Sequence, residues 1–158
     1  MQSPLAIDVN SWIIQDGNYA DFIVGDRSKF ALEFGGNPLI PSRQTSAMMA
    51  HVEGSTYRVT AQVKFVGQNV WVIDFGIMAF WECKAPIFAT VDSWIEGEIS
   101  LGIDPFFYKE YLYKEEGIPN LFYNWTITKI ERNETPWLEE INAHGGRADY
   151  ILYVEMDS

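Results

Sequence analysis

Between residues 57 and 132 apolar and polar side chains alternate in long runs, broken once by Asp104-Pro105. Alternation of period two suits an extended chain, whose successive side chains point to opposite faces, and does not suit a helix. In the first run Tyr57, Val59, Ala61, Val63 and Phe65 take one face, and Arg58, Thr60, Gln62 and Lys64 the other. Gly67-Gln68-Asn69 then turns the chain. In the second run Trp71, Ile73, Phe75, Ile77, Ala79 and Trp81 share a face, opposite Val70, Val72, Asp74, Gly76, Met78, Phe80 and Glu82. Gly76 marks a bulge or sharp bend there. From Trp94 to Ile103 the faces are Ile95, Ile99, Leu101 and Ile103 against Glu96, Glu98 and Ser100, and Gly97 marks a close backbone approach. Leu121, Tyr123, Trp125 and Ile127 form a further face, whose phase slips at Lys129-Ile130 as a bulge requires. The pattern predicts a mainly β protein, a twisted antiparallel sheet closed into a small barrel.

The rest of the chain adds shorter elements. Residues 5–34 read as an N-terminal β-meander, ending in a strand over 29–34 with Phe30, Leu32 and Phe34 on one face. Residues 35–46, rich in Gly, Pro, Ser and Asn, read as a linker. Residues 47–52 fit a strand or one helical turn, and Ile87-Phe88-Ala89 is a short apolar piece. Asp104-Pro105 predicts a helix start, with Asp as N-cap and Pro at the first helical position. In the helix that follows, over 106–116, Phe107 lies over Tyr111 and Tyr108 over Leu112. Thr135-Pro136 predicts a second short helix over 137–141, and 150–156 a final strand.

From about residue 56 the predicted order is strand, strand, strand, helix, strand, strand. This resembles the element order of an OB-fold, a five-stranded barrel with one helix inserted between its third and fourth strands. A lipocalin-like or other closed barrel fits the same pattern. The length of 158 residues fits a single domain over 1–158, in which the meander of 1–36 packs on a barrel of 47–158.

Charge bounds the function. The formal net charge is −11, from 22 acids against 11 bases. Such a field repels phosphate backbones and anionic lipid, and favours encounter with basic protein surfaces. The single cysteine excludes an internal disulfide. Residues 1–5 show no basic n-region and no segment is a continuous apolar span, so a cytoplasmic location and no membrane are expected.

The chemistry-bearing residues are few. Cys83 precedes Lys84, whose charge favours a thiolate, but it also continues the apolar face of Trp81 and Ala79. His51 and His144 are the only histidines, scattered singly with Cys83, so no metal is expected. Asp74 sits mid-strand among apolar residues and needs a partner, for which Arg58 is suited. Asp74, His51 and Cys83 are therefore the candidate buried polar groups. Glu96 and Glu98 share a strand face with Trp94, an aromatic–acidic patch suited to binding. No phosphate loop, dinucleotide fingerprint or nucleophile elbow is present, and no cofactor is expected. The preferred reading is a non-enzymatic binding protein whose acidic surface takes a basic protein partner, as an intracellular immunity- or inhibitor-type protein does. The alternative is a barrel holding a small apolar ligand, or an enzyme with its site at the barrel mouth. An OB-like nucleic-acid binder ranks last, because the charge opposes it.

Overall fold

The computed structural model describes residues 4–10, 22–132, 135–138, 140–141 and 149–157. The chain divides into two compact units, one formed by residues 1–30 and 122–158, the other by 31–121. The residues read as one meander, 1–36, are shared between them.

The first unit opens with β1 (Leu5–Asn10), β2 (Phe22–Ile23) and β3 (Arg27–Phe30). The second holds β4 (Leu32–Gly36), β5 (Ile40–Pro41), β6 (Met48–Glu53), β7 (Thr56–Val66), β8 (Trp71–Asp74), β9 (Met78–Trp81) and β10 (Trp94–Ile103). It ends with a four-residue helix, α1 (Phe107–Glu110), and a 3-10 turn over Leu112–Lys114. The chain then returns to the first unit with β11 (Tyr123–Arg132), β12 (Thr135–Leu138), β13 (Glu140–Ile141) and β14 (Asp149–Met156).

The protein is mainly β, and the second unit contains a closed five-stranded barrel. Its cycle runs β7–β8–β9–β4–β10 and back to β7. All pairings are antiparallel except β4 with β9. Alternation along β7 and β10 sends Tyr57, Val59, Ala61, Val63, Ile95, Ile99 and Leu101 into the interior, where each is at most 3% exposed. A fully buried large aliphatic side chain contributes about 1.5–3 kcal/mol through removal from water, so Val59, Val63, Ile95, Ile99 and Leu101 each stabilise the unit on that scale. The ring is compatible with an OB-like barrel, but its linear order is different from the expected one. In chain order β4 comes first of the five ring strands although it lies between β9 and β10 in space, and the helix over Phe107–Glu110 follows the last of them, β10.

That difference begins at Gly76. The predicted long strand over 71–81 is instead a tight hairpin, with Trp71 opposite Trp81 and Asp74 opposite Met78. The Asp74 carboxylate accepts the Gly76 N–H at 2.8 Å, and Gly76 adopts φ +107°, which glycine alone adopts readily. Trp71 and Trp81 do share a face, stacked across the hairpin at 6.5 Å. Phe34 meets both edge-on, at 5.2 and 5.4 Å. The expected strand over 29–34 is likewise two strands: β3 pairs with β11 and β4 with β10 and β9.

The other face of the hairpin is also covered, since Val70, Val72 and Phe80 are fully buried. Phe80 packs against Tyr108 of α1 at 5.9 Å. The Tyr108 hydroxyl donates to the Pro119 carbonyl at 2.9 Å and accepts the Leu121 N–H at 3.0 Å. The expected helix start is shifted by two residues. Phe106, at φ +81°, occupies the N-cap position, and Asp104 reaches forward to accept the Tyr108 and Lys109 N–H groups at 3.0 and 2.9 Å. The Phe107–Tyr111 pair forms as expected, at 6.2 Å.

In the first unit β14 lies between β1 and β11, and β11 also pairs with β12 and β3. β2 pairs with β13. The phase slip at 129–130 is real: the β11–β14 register shifts between Ile127 and Lys129. The expected helix over 137–141 is replaced by β12 and β13. Pairing of Ile130 with Leu138 and Arg132 with Thr135 claims that backbone, and Pro136 is tolerated on a terminal strand. Phe30 stacks on Trp125 at 5.7 Å, and the Trp125 indole N–H donates to the Phe30 carbonyl at 3.2 Å. The second histidine candidate, His144, lies outside the described residues.

Candidate functional site

The outer face of β7 and β10 brings the predicted binding residues together. Gln62 opposes Trp94, Thr60 opposes Glu96 and Arg58 opposes Glu98. The row extends on both sides: Met48 of β6 opposes Thr60, Ala50 opposes Arg58, and Ile40 of β5 opposes Glu96. Trp94, Glu96 and Glu98 are all half-buried. The Arg58 guanidinium lies 3.4 Å from the Glu98 carboxylate, an exposed pair worth at most about 1 kcal/mol. Lys64 donates to the Gln62 side-chain oxygen at 2.8 Å, and the Gln62 amide donates to the Asp92 carbonyl at 3.2 Å. The face is thus a fixed array of donors and acceptors around one indole.

Gly97 is why β10 can lie where it does. A Cβ at this position would sit 2.7 Å from Leu39 Cδ2, and its φ of +153° strains any other residue. Leu39 is buried over the strand, and β5 follows directly from it. The close approach expected at Gly97 is therefore made by Leu39.

β6 has a different character. All six of its residues are exposed, although Met48, Met49 and Val52 are apolar. Among the described residues β6 pairs with β7 alone, leaving its outer edge open.

None of the three candidate buried polar groups is buried, and among the described residues none hydrogen-bonds another. Asp74 is half-buried and caps the hairpin turn; its expected partner, Arg58, is taken by Glu98. His51 is exposed on β6, where its Nε2–H donates to the Gly54 carbonyl at 2.8 Å and its ring leans on Tyr57 at 5.1 Å. Cys83 is a half-buried free thiol just beyond β9.

A second constellation escapes sequence reasoning. Glu33, on the outward phase of β4, lies close enough to Asp104 and Glu82 to feel both charges, and burial with that repulsion pushes its carboxyl from 4.5 up to about 7. Asp104 is fully buried, and burial raises its pKa against the backbone N–H groups that favour its ionised form. Glu82 accepts the Tyr111 hydroxyl, and burial and that hydrogen bond raise the Tyr111 pKa. Within this cluster it is the Glu33 carboxyl that burial moves toward neutrality. Among the described residues, no group of three or more His, Cys, Asp or Glu is arranged to hold a metal. None of the described helices is long and apolar enough to cross a membrane.

Comparison with protein-family models, curated proteins and solved structures yields no match to this chain.

Proposed function

We propose that this chain is a non-enzymatic protein-binding module. It receives a partner with a basic surface on the β6 edge and the adjoining outer face of β7 and β10. The observation that carries this reading is β6 itself. An open sheet edge is a template for a further strand, and natural proteins normally block it with lysine, proline or a cover. Residues 48–51, Met-Met-Ala-His, carry no lysine, proline or acidic residue, and the register shift and the charge of Glu53 come only at the strand's end. A partner strand adding here gains main-chain hydrogen bonds, while side chains on alternate positions set specificity. Trp94 supplies an aromatic anchor of the kind enriched at interfaces, and Glu96 and Glu98 supply acceptors for basic groups. The net charge of −11 speeds encounter with a basic partner. An intracellular immunity- or inhibitor-type protein is one concrete form of this role. The side chains that point into the barrel, among them Val59, Ala61, Val63, Ile95 and Leu101, are fully buried, which favours an outer-face site over an enclosed ligand.

Affinity capture from native lysate tests the proposal. The wild type is expected to retain a partner at about 50 mM salt and release it at about 500 mM, where the Debye length has fallen severalfold. Met49→Lys, which charges the edge, and Trp94→Ala are each expected to lose that partner while keeping the wild-type circular dichroism. Equal retention by folded Met49→Lys and Trp94→Ala refutes the assignment, as does the absence of any salt-sensitive partner.

A further inference from the structure

A concavity lies at the end of the barrel, where the β7–β8 turn faces the connection from β9 to β10. Its volume is about 470 Å³, within the range of small-molecule sites. The walls include Val66 and Gln68 from the turn, and Lys84, Ala89, Thr90 and Val91 from the connection. Ile87 stands on the rim with 98% of its surface in water, and Val91 and Val66 are exposed beside it. A cluster of exposed aliphatic groups around a hollow marks a contact surface.

The connection is built rather than slack. The Ala89 N–H donates to the Pro86 carbonyl at 2.9 Å, and the Ser93 hydroxyl donates to the Thr90 carbonyl at 2.6 Å. The Asp92 N–H and the Ser93 carbonyl clamp the loop to Val63 of β7 at 2.8 and 2.9 Å. Asp92 holds φ +73°, a left-handed conformation uncommon outside glycine. These bonds hold the apolar wall in place without a ligand.

Charge selects the occupant. Lys84 is the one formally charged residue among those lining the cavity, and no ion pair engages it among the described residues; the Glu115 carboxylate packs against Gly67 but is not itself among the lining residues. An ammonium beside an apolar hollow fits a ligand with an apolar body and one negative end. We propose that this cavity binds a small amphipathic carboxylate, with its hydrocarbon against Val66, Ala89 and Val91 and its carboxylate on the Lys84 ammonium. This site is separate from the β6 edge and does not rest on the protein-binding reading.

Methyl-resolved NMR titration of the whole chain with octanoate, octylamine and octanol tests it. Octanoate is expected to shift the Val66, Ala89 and Val91 methyls saturably, with a Kd below about 1 mM. Octylamine should bind at least about tenfold more weakly. Lys84→Gln, at an exposed position, should weaken octanoate about fivefold and leave octanol unchanged. Thr90→Trp, which fills the hollow from an exposed position, should abolish the octanoate shifts. Absence of saturable shifts at those methyls overturns the proposal. So does equal binding of octanoate and octylamine, or an octanoate affinity unchanged by Lys84→Gln.

Discussion

Replacing Glu33 with glutamine should make the protein more stable at alkaline pH and change little at acidic pH. In the folded chain the Glu33 carboxyl is raised from 4.5 to about 7, first by burial and then by the neighbouring Asp104 and Glu82. A carboxyl that holds its proton more tightly when folded stabilises the fold fully below pH 4.5. That contribution is lost as pH rises through 7. A fully realised shift of this size corresponds to about 3.4 kcal/mol. Glu33 is only half-buried, and solvent screening reduces the effect to about 1–2 kcal/mol. Glutamine keeps the shape and cannot ionise, so it escapes the penalty. Paired urea denaturations of wild type and Glu33→Gln, followed by tryptophan fluorescence, measure it. The two should coincide near pH 4.5, diverge between pH 5 and 7, and differ by about 1–2 kcal/mol at pH 8, with the variant more stable. A difference that is flat with pH, or a variant less stable at pH 8, refutes the argument.

Three further outcomes follow from the barrel. Gly97→Ala should cost about 1–3 kcal/mol in urea denaturation, because its Cβ meets Leu39 and its backbone is strained. Asp104→Ala should cost about 2 kcal/mol by leaving the Tyr108 and Lys109 N–H groups without their acceptor. Asp104→Asn, which keeps one acceptor oxygen, should cost less in the same assay. A fragment of residues 31–121 contains every strand of the closed ring and should unfold cooperatively with a β-type circular dichroism spectrum; a random-coil spectrum would count against it.

Much of the sheet was legible because alternation survives wherever one face is buried and the other wet, as along β7 and β10. It failed where both faces are covered. Phe75 and Ile77 flank the turn glycine and are themselves buried, so the β8–β9 hairpin reads as one continuous apolar strand. Proline and threonine at 135–136 carry a helix-start signal that pairing with β11 overrides. The patch of Trp94, Glu96 and Glu98 was legible because three alternate residues on one strand must share a face. The acidic cluster was not, because Glu33 looks like any outward strand residue until the fold buries it and brings Asp104 and Glu82 near it. His51 and Asp74 show the converse error. Apolar neighbours in sequence suggest burial for Asp74, which lies at a turn, and His51, also a candidate buried group, lies exposed on β6.

The ring of five strands is complete by Ile103, whereas β3 finds β11, and β1 finds β14, only among residues beyond 122. A nascent chain can therefore close its barrel while the opening strands still wait for partners that have not yet left the ribosome. The long sequence separation between those partners makes the first unit the slower to assemble. Until then, the apolar side chains of Leu5, Ile7 and Phe30 lack the C-terminal strands that cover them. That interval is when a chaperone has most to protect.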